Sequence, residues 1–236
     1  MAVTARTLTS LLLYLAAFYA TDAAITWTTP SGGDGTANVD ENAAVGAAVE
    51  TIAATSDGTL GDFTLVSTGT PFTLATGGAL TVASATLDFE TTPTYTLSIQ
   101  GVDNSVTATA TLTVLVNDAP TFSSSTFSTC ATDGSAVGTT VYTLSATDGN
   151  SGDTLTYSIT GGNTGSDFTI SSDKIVTANA LAMATTASYD LVVQVSDTSL
   201  TASATVTVSV SASCNSATAL VFSLLTILTA LVVALN

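Results

Sequence analysis

Histidine is absent from this 236-residue chain, and the basic residues number two, Arg6 and Lys174. Without histidine no Ser-His-Asp or Cys-His arrangement can form, and beyond Arg6 there is no arginine to clamp a phosphate through two bonds. The 18 acidic residues leave a formal net charge of -16, which repels nucleic acid and anionic lipid headgroups. The natural partner of such a chain is a cation. Tryptophan occurs once and cysteine twice, no Asn-x-Ser/Thr sequon is present, and no segment between the two terminal apolar runs keeps a helical period.

Both ends read as processing signals. Met1 to Ala24 has one basic residue, an apolar run from Leu8 to Tyr19 and small residues at Ala20, Ala23 and Ala24, the form of a secretory signal peptide. Ala217 to Leu235 is uncharged and apolar, with only Asn236 after it. Small residues precede that run (Ser211, Ser213, Asn215, Ser216), which is the form of a glycosylphosphatidylinositol (GPI) attachment signal, and a tail-anchored helix of about 20 residues is the alternative. The chain thus divides into a signal peptide (1–24), two domains (25–119 and 120–214) and a hydrophobic anchor or lipid-attachment signal (215–236).

The middle repeats once. Phe72 matches Phe168 at a separation of 96, Tyr95 matches Tyr189 at 94, and Gly46 matches Gly138 at 92. Within each copy apolar residues alternate: Tyr95, Leu97 and Ile99, then Leu112, Val114 and Val116; in the second copy Tyr189, Leu191, Val193 and Val195, then Ala204, Val206, Val208 and Val210. A period of two means one buried and one solvated face, and Thr, Val and Tyr suit a pleated surface. The predicted class is all-β, two tandem sandwiches.

The order Glu41-Asn42, Leu87-Asp88-Phe89-Glu90, Tyr95-x-Leu97-x-Ile99 with Asp103, then Asn117-Asp118 and Pro120-x-Phe122, resembles a cadherin repeat. The second copy adds "ATDGNSGDTLTYSI" (Ala146 to Ile159), similar to the acid-rich top of a following cadherin domain, and "VNDAP" resembles cadherin-like repeats of bacterial surface proteins. The resemblance implies seven-stranded Greek-key sandwiches of the immunoglobulin-like, cadherin type, with Ca²⁺ held between them. Carried over by motif, the ligands are Glu41, Asp88 and Glu90 of the first domain, Asn117 and Asp118 of the connector, and Asp148, Asn150 and Asp197 of the second domain. Asp88 and Glu90 are two apart, so an extended backbone would point both the same way. Ca²⁺ takes six to eight oxygens, which converging loops can supply. The copies differ in keeping with this: Leu181-Ala182-Met183-Ala184 replaces Leu87-Asp88-Phe89-Glu90, and Ser56 stands where the second copy has Asp148. Leu115 stands where cadherin connectors usually carry an acid, which implies fewer or weaker ions, with Kd of about 10⁻⁴ to 10⁻³ M. Asp103 and Asp133 are read as surface acids.

Cys130 and Cys214 most simply pair in an oxidising compartment, and lipid attachment then falls on Asn215 or Ser216. Trp27 is read as capping the core of its own domain rather than docking into a partner. The functional expectation is a non-catalytic, Ca²⁺-dependent adhesion or recognition module at the outer cell surface. Its partner would be a cell-surface protein or a second copy, it would be membrane-bound through the C-terminal anchor, and it would bind no nucleic acid. A spacer or coat protein without calcium, and a ligand-binding co-receptor, are the alternatives on the same fold.

Overall fold

The computed structural model of the chain describes residues 24–104 and 106–214. The expected signal peptide, the C-terminal apolar run and the candidate lipid-attachment residues Asn215 and Ser216 lie outside the described residues. Among the described residues no helix is long and apolar enough to cross a membrane. The chain divides into two units at Asp118/Ala119.

Unit 1 contains β1 (Thr26–Thr29), β2 (Asp34–Asp40), β3 (Ala48–Thr51), β4 (Ala53–Thr55), β5 (Thr64–Leu65), β6 (Phe72–Leu74), β7 (Ala79–Val82), β8 (Thr94–Asp103) and β9 (Val106–Asn117). Its sheets run β2-β9-β8-β5 and β3-β7-β6, with β1 paired to β4. Unit 2 contains β10 (Thr121–Phe122), β11 (Thr126–Thr132), β12 (Thr140–Thr143), β13 (Ala146–Thr147), β14 (Thr156–Gly161), β15 (Phe168–Ser171), β16 (Lys174–Thr177), β17 (Ser188–Ser196) and β18 (Thr201–Ser211). Its sheets, β11-β18-β17-β14 and β12-β16-β15 with β10 paired to β13, repeat the same order. Each unit's nine strands lie on seven tracks, because the first two tracks are each split: β1 pairs antiparallel with β4 and β10 with β13, whereas β2 and β11 run parallel to the last strand of the four-stranded sheet.

The alternation seen in the sequence is what fills the cores. Leu97, Ile99, Val114, Leu191, Val193, Val195, Val206 and Val208 have no exposed surface, and each such side chain contributes about 1.5–3 kcal/mol by leaving water. Residues facing the other way on the same strands are mostly Thr and Ser, whose β-branched or small polar side chains suit a solvated sheet face, with Leu115 and Val192 as exposed apolar exceptions. The repeat also holds in three dimensions. Phe72 meets Tyr95 edge-on at 5.2 Å, and Phe168 meets Tyr189 edge-on at 4.8 Å. Gly46 and Gly138 both adopt a left-handed backbone, with φ of 88° and 85°, and both donate a backbone bond to the carbonyl of the facing strand, Val82 and Thr177. Trp27 is buried in unit 1 against Phe63, as the sequence suggested.

A disulfide joins Cys130 on β11 to Cys214, three residues past β18, with the Cα atoms 5.6 Å apart. Closing an 84-residue separation stabilises the unit by about 4 kcal/mol in the chain-entropy model.

The copies diverge around Tyr189. Its hydroxyl donates to Asp167 Oδ2 at 2.6 Å, while Pro71 stands just before Phe72 in the first copy. Burial, and then the bond to Asp167, push the phenol above its ordinary value of 10.0. A raised folded-state value means the contribution to stability is complete below the unfolded value and is lost as pH rises through the folded one. Tyr189→Phe is expected to cost about 1 kcal/mol at pH 7. The gap between the variant and the parent should narrow in urea melts above about pH 10. A gap that persists undiminished at pH 11 would mean the hydroxyl contributes nothing to the difference.

Candidate metal centres

In unit 1 the parallel register of β2 and β9 sets Asp40 opposite Asn117. The Asn117 side chain donates to Asp40 Oδ1 at 3.2 Å, and its carbonyl accepts from Glu41 N–H at 3.0 Å. The two strands therefore end together, and the next residues, Glu41 and Asp118, leave from neighbouring positions. Glu90 arrives from the turn before β8. That turn is held to the core by Leu87, which is buried, and by Phe89, which is partly so. Phe89 N–H also makes a long 3.5 Å contact to Glu41 Oε2. One oxygen each from Glu41, Glu90 and Asp118 lies within 4.8 Å of the others.

Asp88 takes a different part. The 88–90 segment is not extended but turns, with Thr92 N–H donating to the Asp88 carbonyl at 2.9 Å. The Asp88 carboxylate accepts from the Thr91 hydroxyl at 2.9 Å and the Thr91 N–H at 3.1 Å. The expectation that Asp88 and Glu90 point together is thus corrected: the carboxylate at Asp88 caps the turn that presents Glu90. The Thr91 hydroxyl, and then its N–H, hold the Asp88 carboxyl below its ordinary 3.8.

Unit 2 gathers a second triad at the end of its sheet where β18 begins. Asp148 follows β13, with Asn150 N–H donating to its Oδ1 at 2.8 Å. Asp197 directly follows β17 and accepts from Ser199 N–H at 2.7 Å and Leu200 N–H at 2.6 Å. Asp153, from the loop before β14, joins them, and one oxygen from each lies within 4.8 Å of the others. Asp118 and Asp197 are buried, with 8% and 6% exposure, while Glu90 and Asp153 lie at the exposed side of their triads. Asp153 escaped the sequence reading, although it stands five residues after Asp148 in the same acid-rich stretch.

Asp103 corrects another expectation. It occupies the place in the β8–β9 hairpin that Asp197 occupies in β17–β18, yet it is fully buried. Its carboxylate accepts from Gly58 N–H at 3.1 Å and Thr59 N–H at 2.8 Å. A Cβ on Gly58 would lie 2.5 Å from the Asp103 carboxylate, so the close approach requires glycine. Asp133, by contrast, is exposed and accepts from Met183 N–H at 2.7 Å. Leu115 lies on β9 and is 40% exposed.

The chemistry of the triads can be tested against a cation. Two oxygens at 2.3–2.6 Å from one Ca²⁺ can stand no more than about 5.2 Å apart, and both triads meet that limit. Every donor is a hard carboxylate oxygen; the chain has no histidine, and both cysteines are in the disulfide. The donor set fits Ca²⁺ and does not fit the nitrogen and sulfur preferences of zinc. Each pair of carboxylate charges within this distance repels by roughly 0.9 kcal/mol at the dielectric of water and about 3.5 kcal/mol at an effective value of 20. Lys174, the basic residue among those described, is bonded to Asp173 at 2.8 Å.

The model of the cadherin domain family matches residues 128–211. Comparison with curated proteins finds no match. Among solved structures the chain is similar to the human desmocollin-1 ectodomain, at 20% identity and a TM-score of 0.47, over 81% of this chain and 42% of that one. It is similar to human protocadherin-24 EC1-2 at 21% identity and a TM-score of 0.43, over 80% and 98% of the two chains. For mouse cadherin-23 EC22-24 the figures are 24% identity and a TM-score of 0.40, over 80% and 65%. The chain thus spans less than half the length of the desmocollin-1 ectodomain that it matches.

The different parts taken by Asp88 and Glu90 separate in solution. Asp88→Ala should lower the melting temperature of unit 1 even without Ca²⁺, since the turn it caps is part of the fold. Because the folded-state value of Asp88 is depressed, its contribution is present above the ordinary carboxylate value and lost as pH falls through the folded one. The deficit of the variant should therefore vanish in strongly acid solution. Thermal melts from pH 7 down to pH 2 test this, and a deficit that survives at pH 2 would remove the carboxylate from the turn.

Proposed function

We propose that this cadherin-like chain is a non-catalytic adhesion or recognition module of the outer cell surface whose two units bind Ca²⁺. The observation that carries the reading is the pair of carboxylate triads, Glu41–Glu90–Asp118 and Asp148–Asp153–Asp197, one in each unit. It is supported by the cadherin domain matched over residues 128–211, which contains the second triad. Asn117 and Asn150 stand beside the triads in the chain and could add neutral oxygens, and Asp88 supports the first by shaping its turn. When bound, the ion neutralises carboxylates that otherwise repel.

Asp118 belongs both to the first triad and to the connector, so an ion held there fixes the connector's first residues and stiffens the link. Three carboxylates per triad fall short of the six to eight oxygens that Ca²⁺ takes, so backbone carbonyls and water complete the shell and affinity is modest. This agrees with the loss of an acid at Leu115. The proposed setting is the extracellular face of the plasma membrane, reached by the signal peptide and held by lipid attached at Asn215 or Ser216 once the C-terminal run is removed, or by that run itself as a tail anchor. The partner is a cell-surface protein, with a second copy of this chain as the first to test.

A ligand that binds only the folded state raises the melting temperature. Millimolar Ca²⁺ should therefore raise the melting temperature of residues 24–214 by several degrees over the value in chelator, and Asp118→Asn and Asp148→Asn should each remove part of the rise. No rise would leave the acids without an ion and favour the calcium-free spacer. Beads coated with the protein should aggregate with Ca²⁺ and disperse in chelator. A calcium-dependent melt without aggregation would keep the ion sites and transfer the function to recognition of a different partner.

A further inference from the structure

We infer that the Cys130–Cys214 disulfide takes most of unit 2 out of the path of mechanical tension, so that the second sandwich stays folded under a load that unfolds the first. Tension crossing unit 2 enters at Ala119 and leaves through the chain after Cys214. From Ala119 it runs along β10 and β11 to Cys130, the fifth residue of β11. There it crosses the sulfur–sulfur bond to Cys214 and leaves. Residues 131–213 hang from the path as a closed loop. That loop holds β12 to β18, nearly all of the buried core of unit 2, and the whole of the Asp148–Asp153–Asp197 triad.

The few residues left on the path have little length to release. Strand backbone already rises 3.2–3.4 Å per residue, close to the limit of about 3.3–3.6 Å for a fully extended chain. Peeling β11 from β18 breaks the parallel pairing of Thr126–Cys130 with Thr205–Ser209 but barely lengthens the chain. The sandwich then loses β10, with its short pairing to β13, and the paired part of β11, and keeps β12 to β18.

Unit 1 has no such bypass, since both cysteines of the chain lie in unit 2. Tension entering before β1 runs through every strand from β1 to β9, and Glu41, Glu90 and Asp118 are strung along it. The two units are therefore built to answer force differently, the first as an extensible element and the second as one of fixed length.

Single-molecule force spectroscopy on the full chain, held by a handle at each end, tests this. In the oxidised protein, unit 1 (residues 24–118) should unfold with one contour increment of about 33 nm, taking about 3.5 Å per residue. Unit 2 should give no increment above about 4 nm, the length of residues 119–130. A small thiol reductant, which can reach the exposed Cys214, should add a second increment of about 34 nm, of which about 29 nm is the 84-residue loop. The paired substitution Cys130→Ser with Cys214→Ser should give both long increments without reductant. Should that variant fail to fold, reduction of the parent while it is held at low force decides the matter. Two long increments in the oxidised parent, or no gain of length on reduction, would overturn the inference.

Discussion

The pairing of the first strand with the last, in parallel and in the same sheet, is the constraint on which both units depend. In unit 1 the register Asp40 to Asn117 makes β2 and β9 end side by side, and only because they end together can Glu41 and Asp118 contribute to one cluster. In unit 2 the register Thr132 to Ser211 likewise ends β11 and β18 side by side, and Cys214, three residues past that end, folds back to reach Cys130. A metal-ligand cluster and a disulfide are thus two uses of the same place in one topology. Parallel pairing at that position goes with a divided first track: β1 and β10 pair with β4 and β13, which leaves β2 and β11 free to run beside the last strand. A hairpin would force antiparallel pairing, whereas first and last strands, joined through the whole unit, can run parallel.

Much of this was legible in the residues. Alternation is a local signal, and the buried faces of β8, β9, β17 and β18 fall where the apolar positions do. The repeat was legible because the Phe–Tyr pairs and the left-handed glycines are set by the fold rather than by the surface. The splitting of the first track was not legible, since β1, β10 and β13 are two to four residues long, and so short a segment has no periodicity to read. The cysteine pairing could be anticipated from number alone, but its mechanical placement required the register of β11.

The candidate site was legible residue by residue and misread in its local geometry. Spacing put Asp88 and Glu90 on one face, but that holds only for extended backbone. Thr91 offers Asp88 both a hydroxyl and an N–H, and short acidic side chains readily take such local bonds in preference to extended structure. Glu90, with a longer side chain, is left to reach the cluster. Asp153 was missed for the opposite reason. It lies in a loop, where no alternation marks a face, and only the fold of the loop brings it to Asp148 and Asp197.

Asp103 and Asp197 show what separates a structural acid from an acid that can hold an ion. Both close the hairpin between the last two strands, and both accept two backbone N–H groups. Those donors come from different places. Gly58 and Thr59 lie more than 40 positions away in the chain and cover Asp103 completely, taking one carboxylate oxygen each. Ser199 and Leu200 belong to the hairpin of Asp197 itself, and both bond Oδ1. Local capping orients the Asp197 carboxylate, one oxygen of which lies within 4.8 Å of oxygens of Asp148 and Asp153. Distant capping at both oxygens encloses the group and satisfies it. The same residue type at the same point of the same topology therefore becomes a clamp between loops in one unit and a candidate ligand in the other, according to which backbone supplies the donors.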